Sequence, residues 1–196
     1  MFEDERIIEA RYREEISQYT SVNTGIYVEG ELIQFHETML FNNKVGILLP
    51  VLFQDMTQEN ARKKYFSEQR PQIIKTNRDE SVNFSFSMVE TKVGEDQLEA
   101  VIQDFHRVLK RLQPMSVCLE TGFDQDIPVP CAWMEFISTA IDENLYNMLT
   151  VYSIGDRLLL AMFNCPFQNR MEWINCLHQI RRGIVIYNEE DKNATN

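Results

Sequence analysis

The chain has 196 residues, 44% hydrophobic and 25% charged, with a formal net charge of -11. That length suits one domain with a real core, and the composition is that of an ordinary globular protein. The acidic balance argues against nonspecific binding to nucleic acid or to an anionic membrane surface, since both would repel it.

From Phe2 to Tyr19 the pattern predicts a helix. Ile8, Tyr12, Ile16 and Tyr19 form a narrow apolar stripe at helical spacing, flanked by Glu and Arg. Residues 1–20 therefore read as a charged N-terminal helix or extension. Such a stripe packs on its own domain, or docks through Tyr12 and Ile16 onto a partner or a second copy of the chain. The start lacks the apolar core of a secretory leader. No run approaches the roughly 20 apolar residues that cross a bilayer. A cytoplasmic protein without a membrane span is expected.

Residues 21–187 read as a single α+β domain and residues 188–196 as a polar tail. Ile26–Val28 and Leu32–Phe35 are strand-like pieces broken by Glu29-Gly30. Leu40-Phe41, the turn Asn42-Asn43-Lys44 and the run Val45–Pro50 predict a hairpin with a proline stop. Thr57 is placed to cap a short helix through Phe66, and a strand follows near Ile73-Ile74. Between Ser81 and Thr91 the alternation is clean. Val82, Phe84, Phe86 and Met88 share one face; Asn83, Ser85 and Ser87 share the other. One dry and one small polar face predict a strand near an edge or lining a groove.

The strongest helix signal runs from Glu95 to Gln113. Leu98, Val101, Ile102, Phe105, Val108, Leu109 and Leu112 keep the helical spacing, acids sit at its start, and Pro114 stops it. Seven such side chains, at about 2 kcal/mol each when buried, outweigh any surface ion pair. A meander follows from Val129 to Pro166. Its first segment, Cys131 to Ala140, has large apolar groups in both alternate sets, which predicts cover on both faces. Ile154-Gly155-Asp156-Arg157 is a hairpin signal. A last helix begins at Asn169, with Trp173, Ile174, Leu177 and Ile180 inward and Gly183 at its end.

The chain offers little for catalysis. Its seven glycines form no phosphate-cradling pattern. His36-Glu37 lacks the second His of a zincin. Cys176 and His178 lie two apart on a helix and point in different directions, so with Cys165 they make a poor metal site. Asp124 and Asp126 with Glu120 lack the further ligands of a calcium loop. Asn83-Phe84-Ser85 matches a glycosylation sequon, which without a leader reads as accidental. Trp133, Phe136, Tyr146, Tyr152 and Phe163 read as core aromatics. Cys118, Cys131, Cys165 and Cys176 are widely spaced, and no disulfide framework is expected. No catalytic residue, metal or cofactor is called for.

The order of elements, and the run Val45-Gly46-Ile47-Leu48-Leu49-Pro50-Val51-Leu52-Phe53-Gln54-Asp55 before a short helix, resembles the PsbP/Mog-like (DcrB-type) superfamily. The similarity covers roughly Leu40 to Ile186 and is one of pattern. It implies an antiparallel sheet with helices on both faces (an α/β/α sandwich), usually no catalysis, and binding of other proteins or their apolar segments. The expected function is a noncatalytic adaptor or chaperone-like factor that binds a protein through Phe84, Ser85, Phe86 and Ser87, or through Tyr12 and Ile16. The alternative is an acidic inhibitor or immunity-type protein held on a basic partner. A third reading, an enzyme using scattered carboxylates such as Glu135 and Asp156, has no motif behind it.

Overall fold

The computed structural model describes residues 14, 16–65, 70–140 and 143–187. Tyr12 and most of the expected N-terminal helix lie outside the described residues, as do Phe66 and the tail. Strands β1 (Thr20–Ser21), β2 (Gly25–Val28) and β3 (Glu31–Ile33) form a small antiparallel sheet. Its second turn is made by Glu29 and Gly30, both at positive φ. β4 (Phe35–Leu40) and β5 (Val45–Pro50) make the expected hairpin, tightened by Phe41, Asn42 and Asn43 at positive φ. Asparagine tolerates that conformation readily; for Phe41 it costs about 1–2 kcal/mol.

β6 (Gln54–Asp55) leads to α1 (Gln58–Lys64), β7 (Ile73–Thr76) and β8 (Asn83–Val89). Thr57 caps α1, its hydroxyl accepting from the Asn60 N–H at 3.2 Å. A 3₁₀ turn at Glu95–Gln97 opens α2 (Leu98–Leu112), which is followed by β9 (Val117–Asp124). The meander is β10 (Cys131–Thr139), β11 (Asn144–Ile154) and β12 (Arg157–Pro166), turned at Gly155. α3 (Arg170–Arg182) and β13 (Val185–Ile186) complete the described chain.

The main sheet has the order β6-β7-β8-β12-β11-β10-β9, and β13-β5-β4 form a second three-stranded sheet. Every described pairing is antiparallel. The chain is thus α+β. The meander lacks a wet face because its alternate residues join two separate apolar clusters. Ala132, Met134 and Phe136 pack with Leu149, Val151, Leu158 and α2 residues Leu98 and Ile102. Cys131, Tyr146, Tyr152 and Phe163 pack with α3 residues Trp173, Cys176, Leu177 and Ile180 and with β5.

Two expectations need correction. β8 is not an edge strand: it lies between β7 and β12, and on its polar face Asn83 and Ser85 are buried while Ser87 is half-buried. Asn83 is fully buried, accepting from Thr76 Oγ1 at 2.8 Å and donating to Asn164 at 2.9 Å. Polar groups hydrogen-bonded across strands need no water. Second, α2 does not bury all seven apolar side chains. Leu98 and Ile102 are buried, but Val108 and Leu112 are exposed, as are Val117 and Leu119 on β9. Among the described residues β9 ends the sheet, with no further strand beyond it.

Candidate functional site

A hollow of about 660 Å³ on the described surface is assembled from four separated segments. Pro50 ends β5, and the turn after it is pinned by Val51 N–H donating to Gln34 O at 2.8 Å and Phe53 N–H to Pro50 O at 3.1 Å. That turn throws Leu52 outward, leaving it 76% exposed, while Phe53 folds inward. Leu52 also borders an adjoining hollow of about 480 Å³ that reaches Thr57 and Asn77.

The floor of the larger groove is apolar: Val28, Ile33, Phe53 and Trp173. Trp173 is only 1% exposed and anchors an aromatic cluster, with ring centroids 5.2 Å from Phe163, 6.1 Å from Phe84 and 6.2 Å from Phe53. Its Nε1 is buried without a hydrogen-bond partner. Asn169, buried at the start of α3, also borders the groove, and its side chain makes no cap bond to the helix. The rim is mostly acidic, with Glu29 and Glu31 on the β2–β3 hairpin, Asp79 on the β7–β8 turn, and Arg78 the one base. Asp79 is held below its ordinary value by hydrogen bonds from the Ser81 hydroxyl and N–H, so it stays ionised. The hairpin wall is tied to α3 where the Glu29 N–H donates to the Glu172 carboxylate at 3.2 Å.

A second cluster lies buried between β9, β10 and α3. Glu135 is 0% exposed; its Oε2 accepts from Arg170 at 3.0 Å, and its Oε1 lies 3.5 Å from His178 Nε2. Arg181 pairs with Asp124, donates to His178 Nδ1 at 2.9 Å, and stacks 4.4 Å over Trp133. Because Nδ1 accepts, the neutral ring carries its proton on Nε2, toward Glu135. Gly122 gives the indole its room: a Cβ there would sit 2.6 Å from the Trp133 ring. Burial lowers Arg181 to about 10, with Arg182 adding to the effect.

Burial also lowers His178, ahead of the opposing pulls of Glu135 and Glu120 and the repulsion of Arg182 and Arg170. Below the ordinary histidine value of about 6.5 the unfolded chain then binds more protons than the folded one, so stability falls as pH drops. Urea melts at about pH 7.5 and about pH 5.5 should show that loss, and His178→Gln should make it shallower. An unchanged slope in the variant would assign the loss to other groups.

Glu135 is neutralised inside the protein, while Asp156 sits on the exposed β11–β12 turn, so the two are not brought together. All four cysteines are free thiols; burial pushes Cys131 and Cys165 up to about 12 and Cys176 higher. Among the described residues no three His, Cys, Asp or Glu converge as metal ligands. Of the residues expected to bind a partner, Phe84, Ser85 and Phe86 are buried and present no surface; Ser87 and Ile16 are half-buried; Tyr12 lies outside the described residues. The groove residues Leu52, Glu29, Glu31, Asp79 and Trp173 were not foreseen. The one available signal was the apolar pair Val51-Leu52 stranded beyond a proline stop.

No protein-family model matches the chain, and no curated protein does. Solved structures do share its fold. Cyanobacterial PsbP (CyanoP) from Synechocystis aligns with a TM-score of 0.61 and 10% identity, over 78% of this chain and 92% of that one. A Bacteroides thetaiotaomicron protein gives 0.53 and 11%, over 79% and 49%. LpqN, involved in cell envelope biogenesis of Mycobacterium tuberculosis, gives 0.50 and 8%, over 83% and 95%. At such identities the likeness is one of fold alone, shared with cyanobacterial PsbP and LpqN.

Proposed function

We propose, with the PsbP/Mog-like fold as premise, that this chain is a noncatalytic binding protein, an adaptor or chaperone-like factor that holds a protein partner in the groove beside Leu52. The observation that carries the reading is the groove itself: an apolar, aromatic floor, a polar rim, and a large aliphatic side chain left 76% exposed at its lip. Concave apolar surface with a few placed polar groups is where ligands bind. The reactive groups support the same reading, since three of the four thiols are buried in protonated form and Glu135 is paired internally with Arg170.

In this reading residues 21–187 act as one rigid domain. Its main sheet is covered on one face by α2 and on the other by α3 with the β4–β5 hairpin. The Ile16 end of the N-terminal segment is a second contact surface, for a partner or another copy. No helix among the described residues is long and apolar enough to cross a membrane. A cytoplasmic setting keeps only the free thiols in its favour. The acidic rim favours a second reading, an inhibitor or immunity-type protein seated on a basic partner, whose association rate would fall steeply with salt.

Affinity purification from native cells tests the proposal. A partner should be retained by the unaltered protein and by Leu112→Asp, and depleted at least about tenfold by Leu52→Asp. Equal retention by both variants would remove the groove from the function.

A further inference from the structure

We infer that the groove takes an extended peptide segment in which an apolar side chain and a lysine or arginine stand two residues apart. The inference rests on the groove being the binding surface and adds what it selects. At about 660 Å³ the hollow lies within the range of about 300–1,000 Å³ typical of sites for small ligands, so it admits a few side chains rather than a folded domain.

Its chemistry is asymmetric. The floor of Phe53, Trp173 and Ile33 accepts apolar groups, while the rim sets Glu29, Glu31 and Asp79 against Arg78 alone. Ionised carboxylates only accept hydrogen bonds, so they suit the N–H groups of lysine and arginine. The spacing is that of a strand. Glu31 and Ile33 are two apart on β3, the edge strand of its sheet, and both border the groove. Glu31 and Ile33 share one face of β3, so a segment lying along it meets an acid and an apolar group on the same side, which a basic and an apolar side chain two residues apart match.

The net charge of -11 would attract any basic peptide, so the test needs a charge-matched control. Fluorescein-labelled octapeptides repeating Leu-Ser-Lys-Ser (Leu/Lys), Leu-Ser-Glu-Ser (Leu/Glu) or Ser-Ser-Lys-Ser (Ser/Lys) would be titrated against the full chain by anisotropy. The double variants are E29K/E31K on the rim and E99K/D104K on the exposed side of α2, which change the charge equally. The Leu/Lys peptide should bind at least about tenfold tighter than either other peptide; E29K/E31K should remove about tenfold, and E99K/D104K less than about twofold. Equal losses in the two double variants, equal binding of Ser/Lys, or no binding of Leu/Lys would overturn the inference. If Leu/Lys and Leu/Glu bind alike yet both are lost in Leu52→Asp, the groove stands and its basic preference falls. If Leu52→Asp leaves peptide binding unchanged, the groove reading itself fails.

Discussion

Replacing Arg170 with methionine is expected to lower the unfolding free energy by about 3–5 kcal/mol, the usual cost of stranding one member of a buried ion pair. Glu135 is fully buried, and Arg170 is its one hydrogen-bonding cation, at 3.0 Å. The next candidate, His178, lies 3.5 Å from the other oxygen and is held neutral by burial. Tyr146 lies under the guanidinium at 5.2 Å, and its phenol is pushed upward by burial and then by the Glu135 charge, so it cannot supply a countercharge. The pair need not stabilise the fold, because two desolvated ions cost about as much as their attraction returns. Arg170→Met combined with Glu135→Leu should therefore recover most of the loss. Urea unfolding reads both, and a single-variant loss below about 1 kcal/mol would mean that water reaches the carboxylate.

Truncating Trp173 to alanine is the second large expected loss, again about 3–5 kcal/mol. The indole is the shared neighbour of Phe53, Phe84 and Phe163, and it belongs to the cluster that joins α3 to the sheet. Removing it leaves a cavity that those rings cannot fill without leaving their rotamers. Trp173→Phe keeps a ring at that position and should cost clearly less. A loss in the alanine variant below about 1 kcal/mol would show that the groove floor collapses onto the vacancy. Against a typical total of about 5–15 kcal/mol, either large loss is a fifth or more of the stability of a small domain.

These two sites differ in how far the sequence discloses them. The meander is legible because periodicity reports burial directly: Cys131 to Thr139 carries apolar groups in both alternate sets, and both sets are buried over the first six positions. α2 is legible as a helix but not in its burial, since periodicity cannot show that the sheet ends at β9. Asn83 and Ser85 mislead for a related reason. A polar strand face reads as wet, and their partners Thr76, Asn164 and the Met162 carbonyl come from other elements. Glu135 looks like one acid in an apolar strand, and only the fold brings Arg170 to it. The groove is least legible, because Glu29, Leu52, Asp79 and Trp173 come from four stretches with no shared pattern.

Site-specific photo-crosslinking tests the binding claim most directly. A photoreactive residue placed at position 52, and separately at position 112, probes two exposed apolar positions in native cells, 76% and 70% exposed respectively. The groove account predicts one discrete protein adduct from position 52 and none from position 112. Adducts from position 112 with none from position 52 would contradict it.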